Sequence, residues 1–463
     1  MGHYFRPKMA CRITVPVFGG GPNETVTIPL RLRRATLDHN DHNHADTLVV
    51  AAEWRDCGVD PRLIKNATTE FWMGNGNERG VFTPSLETLR FLGVMNKPRR
   101  VAKEGGGFQV ELEFHDYTAF FLEQKPFPSA GVPAYTDTLA DAWAQVCDHT
   151  GPLGEDGKIQ SSVAILRDAL ECRGGVSPDL VLGTAVAQRF ARLSKVPVKP
   201  QSDAWAVWQQ CVGMMGLISW IDGDRCVVTT STEYYTVDTA PRLIWGRNIL
   251  DAEEQAHAKF SDKGVALTSF DPISGTTYEA FYPPPGDARI VRKRVTAKKA
   301  GKHGRPSKAK APAFPSERYD FFEYHGVTDL DRLHEIATRV WDERSRQELD
   351  GKIRTGEMFV DGVDGNLIDL LELRAGDAVR IEIDAHDKER LAALSGSESQ
   401  AREYLAARGY SPEAATLILA NMSKVGKLDT TFHATNVRTT LEASGDGGHF
   451  EVEVSYHNKI RIE

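Results

Sequence analysis

Residues 108–114 (FQVELEF) alternate apolar and polar side chains without a break, so Phe108, Val110, Leu112 and Phe114 share one face of an extended strand. Around this run lie other short β-rich stretches, at 11–17, 25–32, 47–54, 69–73, 81–83 and 86–94. A loose turn over Gly19, Gly20, Gly21, Pro22 and Asn23 separates the first two. Many short strands at close spacing, with no long helix between them, predict an antiparallel barrel or sandwich over residues 1–125.

The pattern changes after Pro126-Phe127-Pro128. From Thr138 the residues Leu139, Ala142, Trp143, Val146 and Cys147 fall on one helical face, and further helices are predicted over 162–172 and 184–193. Ser202 is the expected cap of another, with Ala204, Val207, Trp208, Cys211, Val212 and Met215 as its stripe. A hairpin across Asp222-Gly223 follows, so residues 126–242 read as an inserted α/β domain. Strand patterns return at 243–249, 256–260, 265–270 and 278–281. An amphipathic helix over 330–341, capped by Thr328 or Asp329, precedes strands at 352–360 and 378–383. A helical pair occupies 397–422, its second helix opening on Ser411 and Pro412, and strands at 430–441 and 449–462 close the chain.

The expected fold is mainly β with an α/β insertion: two antiparallel β-barrel domains with a small α/β domain between them. The first barrel takes 1–125 and the second takes 243–285 and 317–390. Residues 391–428 hold the helical pair, and 429–463 complete the second barrel.

Charge separates one segment from the rest. Residues 289–310 carry ten Lys and Arg and no acid. Without them the basic count falls from 56 to 46 against 64 acids, leaving −18 in place of −8. An acidic body repels nucleic acid at long range. The basic stretch, within 286–316, reads as an exposed loop that engages acidic surfaces, with Arg292, Lys293, Arg294, Lys298 and Lys299 as its interaction residues. The six cysteines are scattered without a CxxC pair, which fits reduced thiols made in a cytoplasm. No apolar run approaches the roughly 18 residues of a membrane helix, and residues 1–7 hold no signal-peptide core.

Candidate chemistry is sparse. Residues 38–46 (DHNDHNHAD) gather His39, His42 and His44 with three carboxylates, but in no zinc-ligand spacing; a solvated loop is expected. Residues 74–80 have the glycines of a phosphate loop without its GK[ST], and a hairpin turn is expected there. Glu335 and Glu343 lie on the polar side of their helix, and Trp143, Trp208 and Trp341 on apolar faces. No catalytic residue, cofactor site or metal site is nominated, and the chain reads as a non-enzyme.

Several stretches in order resemble phage tail (baseplate) hub proteins, relatives of the hub part of VgrG-type spikes of type VI secretion. They are ADTLVV at 45–50, FHDYT at 114–118, the helix and hairpin of 208–224 ending in GLISWIDGD, the helix at 330–341, RQELDGKIRT at 346–355, and DLLELRAGDAVRI at 369–381. The resemblance implies a homotrimer whose two barrels per subunit make a pseudo-sixfold ring. Such a ring adapts a hexameric tail tube or distal tail protein to a trimeric central spike or tip formed by a separate polypeptide. Its lumen would pass the tape-measure protein and, in transit, DNA. The implied location is the virion, with assembly in the host cytoplasm and no membrane anchor. The basic segment, the helical pair and the histidine loop have no counterpart in that pattern. Two other functions stay open: a tail-associated cell-wall hydrolase using the His/Asp loop as a metal site, and a nucleic-acid-binding module using residues 289–310.

Overall fold

The structure, a computed structural model, describes residues 6–16, 25–41, 44–53, 67–77, 81–103, 107–123, 139–140, 143, 179–183, 203–213, 217–223, 225–230, 239–256, 263–271, 276–285, 319–323, 327, 330–345, 349–382, 397–425, 431–443 and 448–458. The first β half comprises β1 (Pro7–Pro16), β2 (Thr25–Leu30), β3 (Leu32–His39), β4 (Thr47–Glu53), β5 (Thr68–Asn75), β6 (Leu89–Lys103) and β7 (Gly107–His115). The short helix α1 (Thr118–Glu123) leads out of it. The second β half holds β11 (Arg242–Ile244), β12 (Asp251–Ala256), β16 (Leu349–Thr355), β19 (Ala378–Glu382), β20 (Thr431–Glu442) and β21 (His449–His457).

Among the described residues, these strands form one 13-stranded sheet. Its order is β12-β16-β21-β20-β3-β4-β7-β6-β5-β1-β2, with β19 on β20 and β11 on β19. The halves meet where β20 pairs with β3, Val437 opposite His39 through Glu442 opposite Arg34. β1 comes back against β3 and β20, although four strands separate it from β3 along the ladder, so the first half curls on itself. One apolar core runs through both halves, from Ile13, Leu37, Leu48, Val50 and Phe114 to Ile353, Phe432, Val437 and Val454. Period-two alternation puts these residues on a single face, and their burial supplies most of the driving force. Gly351 is required where β12 and β16 meet: an added Cβ would strike the Glu253 carbonyl and, at 2.5 Å, the Tyr456 hydroxyl.

The α/β insertion contains β8 (Asp179–Leu182), α2 (Ala204–Gly213), β9 (Leu217–Asp222) and β10 (Arg225–Thr230). The sheet order is β8-β10-β9, with β8 parallel to β10. Its core packs Trp143, Trp205, Trp208 and Cys211 against Tyr117 and Phe121 from the first half, which anchors the insertion. Trp143 and Trp208 meet at 4.9 Å, and Trp208 Nε1 donates to Ser219 Oγ at 2.8 Å.

A third body sits apart from the large sheet. β13 (Gly264–Asp271), β14 (Thr276–Tyr282) and β15 (Tyr319–Glu323) form their own sheet, and α3 (Leu330–Ser345) packs Leu333, Ile336, Ala337 and Val340 against it. Residues 264–282 were expected in the second barrel; their face carrying Val265, Leu267 and Ala280 is instead covered by that helix. The small hairpin β17 (Phe359–Asp361) and β18 (Leu367–Asp369) and the helices α4 (Glu398–Ala407) and α5 (Pro412–Val425) complete the described elements.

The fold is mainly β with helices and an α/β part, as expected. Some expectations shift. Strand 25–32 is two strands broken at Arg31, and β3 extends into the stretch read as a loop. Its inward residues, Ala35, Leu37 and His39, include one small and one polar side chain, so its alternation is faint. β12 lies five residues before the expected 256–260, because an edge strand of sequence DAEEQA needs little apolar content. Asp203 caps α2 by accepting from Ala206 N at 2.6 Å, and Ser202, the expected cap, lies outside the described residues. Residues 81–83 are not a strand. Leu139, Ala140 and Trp143 are helical as expected, while the helices at 162–172 and 184–193 lie outside the described residues.

Candidate functional site

Two features of the large sheet stand out: its solvent-side face and the junction at one end of it. On the face opposite the core, one row of paired positions runs Asp251, Arg354, Glu453, Arg438, Asp38, Thr47 and His115, each on a successive strand. Sign alternates from strand to strand over its first five members. Arg354 pairs with Asp251 and lies 3.9 Å from Glu451; Lys352 meets Glu453 at 2.7 Å. Arg438 bridges Asp38 at 2.6 Å and Glu453 at 3.8 Å. Beyond β4 the pattern resumes with Glu111 and Glu113 on β7, and Arg99 on β6 is 3.8 Å from Glu111. The outcome is a broad, partly solvated surface on which charges of both signs are interleaved. Such a face creates little long-range field of one sign and holds a passing polyanion weakly.

The junction gathers side chains from both β halves and the insertion. His39, at the end of β3, is 2% exposed. Its Nδ1 lies 2.6 Å from Asp46 Oδ2, while Asp46 Oδ1 accepts from Asn40 N at 2.8 Å. Asn40 in turn donates to Ala45 O and accepts from Asn436. Arg374 reaches over this loop from the 370–377 turn: its guanidinium is 3.3 Å from Asp222 and 3.9 Å from Asp46. Its backbone N–H donates to Asp377 Oδ2 at 2.7 Å. A second clamp, Arg90 on β6, lies 3.2 Å from Asp369 and 3.3 Å from Glu372. Gly376 adopts φ 98°, which turns the chain so that its N–H reaches Ala434 O on β20.

Burial shapes the carboxyls here. Asp116 sits well above the usual aspartate range, because it is buried and faces the charge of Asp46, although hydrogen bonds with the Asp46 backbone and with the Thr118 hydroxyl and N–H hold it back. Burial pushes Asp377 up to about 6, against the Arg374 contacts and with the charge of Asp222. A cleft of about 330 Å³ beside the turn is lined by Asp369, Glu372 and Asp377 together with apolar residues.

The histidine loop is thus not uniformly solvated: His39 is a buried structural side chain, whereas His44 is exposed and pairs with Asp41 at 2.6 Å. His42 lies outside the described residues, as do Arg292, Lys293, Arg294, Lys298 and Lys299. Among the described residues no group of three or more His, Cys, Asp or Glu side chains is placed to hold a metal ion. Cys11, Cys211 and Cys226 are buried and pushed up to about 12, so these thiols stay protonated and inert. Glu335 is exposed and paired with Arg332 at 2.7 Å. Sequence reasoning missed Arg374, Asp116, Asp222 and Asp377 as a group; only the Gly-Asp of the turn signalled the spot.

No protein-family model and no curated protein matches the chain. Solved structures do. A tail protein from Neisseria meningitidis is 14% identical with TM-score 0.48, over 97% of this chain and 96% of that one. The 43 kDa tail protein of prophage MuSo2 from Shewanella oneidensis is 10% identical with TM-score 0.47, over 98% and 99%. A type VI secretion component from E. coli is 9% identical with TM-score 0.37, over 94% and 74%. No described helix is long and apolar enough to cross a membrane.

Proposed function

We propose that this chain is a structural tail or baseplate hub that assembles as a homotrimeric ring. The observation that carries the reading is the junction of two β halves, side by side in one sheet, with an ion-paired face continuous across both. Two modules per chain in three copies make six near-equivalent units. One side of the ring then meets a hexameric tail tube or distal tail protein, and the other a trimeric central spike or tip. The interleaved face lines the lumen, where a conduit must release the tape-measure protein and DNA of an injection system. The arginine clamps at Arg90 and Arg374 keep the halves in register. The basic segment at 289–310 docks on acidic surfaces of neighbouring tail proteins. The protein acts in the virion, after assembly in the host cytoplasm, and does no catalysis.

A symmetry-resolved image of assembled particles tests this. Three copies per ring, with the polar face inward, are expected. A sixfold or dimeric ring, or a lumen lined by another surface, rules it out.

A further inference from the structure

We propose that Trp245, Leu250 and Leu367, with the cleft beside the 370–377 turn, form a docking surface for an extended segment of a neighbouring tail protein. That segment sets a bulky apolar side chain on the rim and a Lys or Arg in the cleft. The inference rests on the hub reading, which puts this chain among other tail proteins.

Three large apolar side chains are left in solvent at one place. Trp245 is 51% exposed, Leu250 63% and Leu367 54%. Trp245 and Leu250 bound the loop between β11 and β12, and a backbone bridge from Trp245 to Ile249 holds that loop tight. Arg247 on the loop pairs with Asp361 on β17 at 2.6 Å, and Asp361 stands directly opposite Leu367 on β18. The loop and the hairpin are therefore held side by side. A lone exposed Leu is ordinary on a protein surface, whereas a Trp and two Leu tied into one patch mark a contact surface. Trp and Arg are also the side chains most enriched among the residues that dominate interface energies.

Leu367 also lines the cleft, whose volume of about 330 Å³ admits one long side chain with the backbone that carries it. The lining holds Asp369, Glu372 and Asp377 and, among the described residues, no base. Arg90 pairs with Asp369 and Glu372. Asp377 has no ion pair among the described residues: the Arg374 guanidinium turns to Asp222 and Asp46, while the Arg374 N–H reaches Asp377. Ala240, Pro241 and Leu373 suit the methylene stem of a Lys or Arg, and the carboxyls suit its head. A buried carboxylate without a cation is costly to the folded chain, and burial pushes this one up to about 6. A charge held at a cost to stability points to a counter-charge supplied from outside the chain. The same three carboxyls repel a polyanion, so the occupant is a protein segment.

The full chain in assembled tails tests this. With p-benzoylphenylalanine in place of Trp245, illumination should join the chain to a peptide of another tail protein. That peptide should carry a Lys or Arg within a few residues of a bulky apolar side chain. Made synthetically, it is the probe in titrations of the purified full chain. Asp377→Asn should weaken its binding about tenfold at undiminished stability in urea, which separates lost docking from lost folding. Leu250→Ser with Leu367→Ser should weaken it by a similar factor. Gln in place of the peptide's Lys or Arg should cost as much, and little more on the Asp377→Asn chain, because both changes remove one pair. A cross-link only to another copy of this chain, to a peptide without a base, or to nothing overturns the docking surface and leaves the hub reading standing. So does an affinity that Asp377→Asn leaves unchanged. Tails that contain no copy of the chain overturn both.

Discussion

Replacing Asp377 by Asn should stabilise this protein at neutral pH. Asp377 occupies the turn between the Arg374 clamp and β19, and its Oδ2 accepts the Arg374 N–H at 2.7 Å. Burial lifts its carboxyl from the ordinary 3.8 to about 6. At about 1.4 kcal/mol per pKa unit, holding this group ionised costs the folded state about 3 kcal/mol above pH 6. The sign follows from proton binding. Between pH 4 and pH 6 the folded chain holds the proton and the unfolded chain does not, so this group's contribution to stability falls as pH rises through that window and then levels off. An Asn oxygen keeps the hydrogen bond without the charge, so the gain at pH 7.5 is about 2 kcal/mol after lost attraction to Arg374 is allowed for. His433 works in the opposite sense, since burial beside His457 holds it down to about 4 and costs stability as pH falls below 6.5. Urea denaturation is therefore compared between variant and wild type at each pH, which cancels the histidine. The difference should be largest at pH 7.5 and vanish near pH 4. A variant no more stable than wild type at pH 7.5, or a gap that does not shrink on acidification, would refute the claim that burial governs this carboxyl.

Trp208→Phe removes the hydrogen bond to Ser219 and part of the ring contact with Trp143. It should destabilise the α/β insertion by about 2 kcal/mol, read as an earlier transition in thermal unfolding. His39→Ala should cost about 1–3 kcal/mol because it empties the buried imidazole site and removes one of the partners of Asp46, whereas His44→Asn should stay within about 0.5 kcal/mol; calorimetry of both compares the two ends of one loop. Serine at Arg292, Lys293, Arg294, Lys298 and Lys299 should leave folding unchanged and weaken docking to tail partners in a salt-dependent way, measured as binding at low and high ionic strength. Docking that is the same at both would show that these cations do not carry it.

The β halves were legible because their inward residues repeat every second position, as Val110, Leu112 and Phe114 do on β7. The helix at 330–345 was legible for the analogous reason at helical spacing. What escaped were elements with little apolar signal: β3, whose inner row includes Ala35 and His39, and β12, an acidic edge. The charged junction also escaped. Arg374 is 328 positions from Asp46 and 152 from Asp222, and no spacing rule links residues so far apart.

The sequence by itself determined the class of fold, the order of its β and α/β parts, the acidic body and the basic segment, since these follow from local periodicity and charge. Only the tertiary structure decided which strands share a sheet, because ladder partners are chosen by long-range burial and register rather than by propensity. That choice separated 264–282 from the large sheet and joined β3 to β20. It also turned scattered acids and bases into one interleaved face.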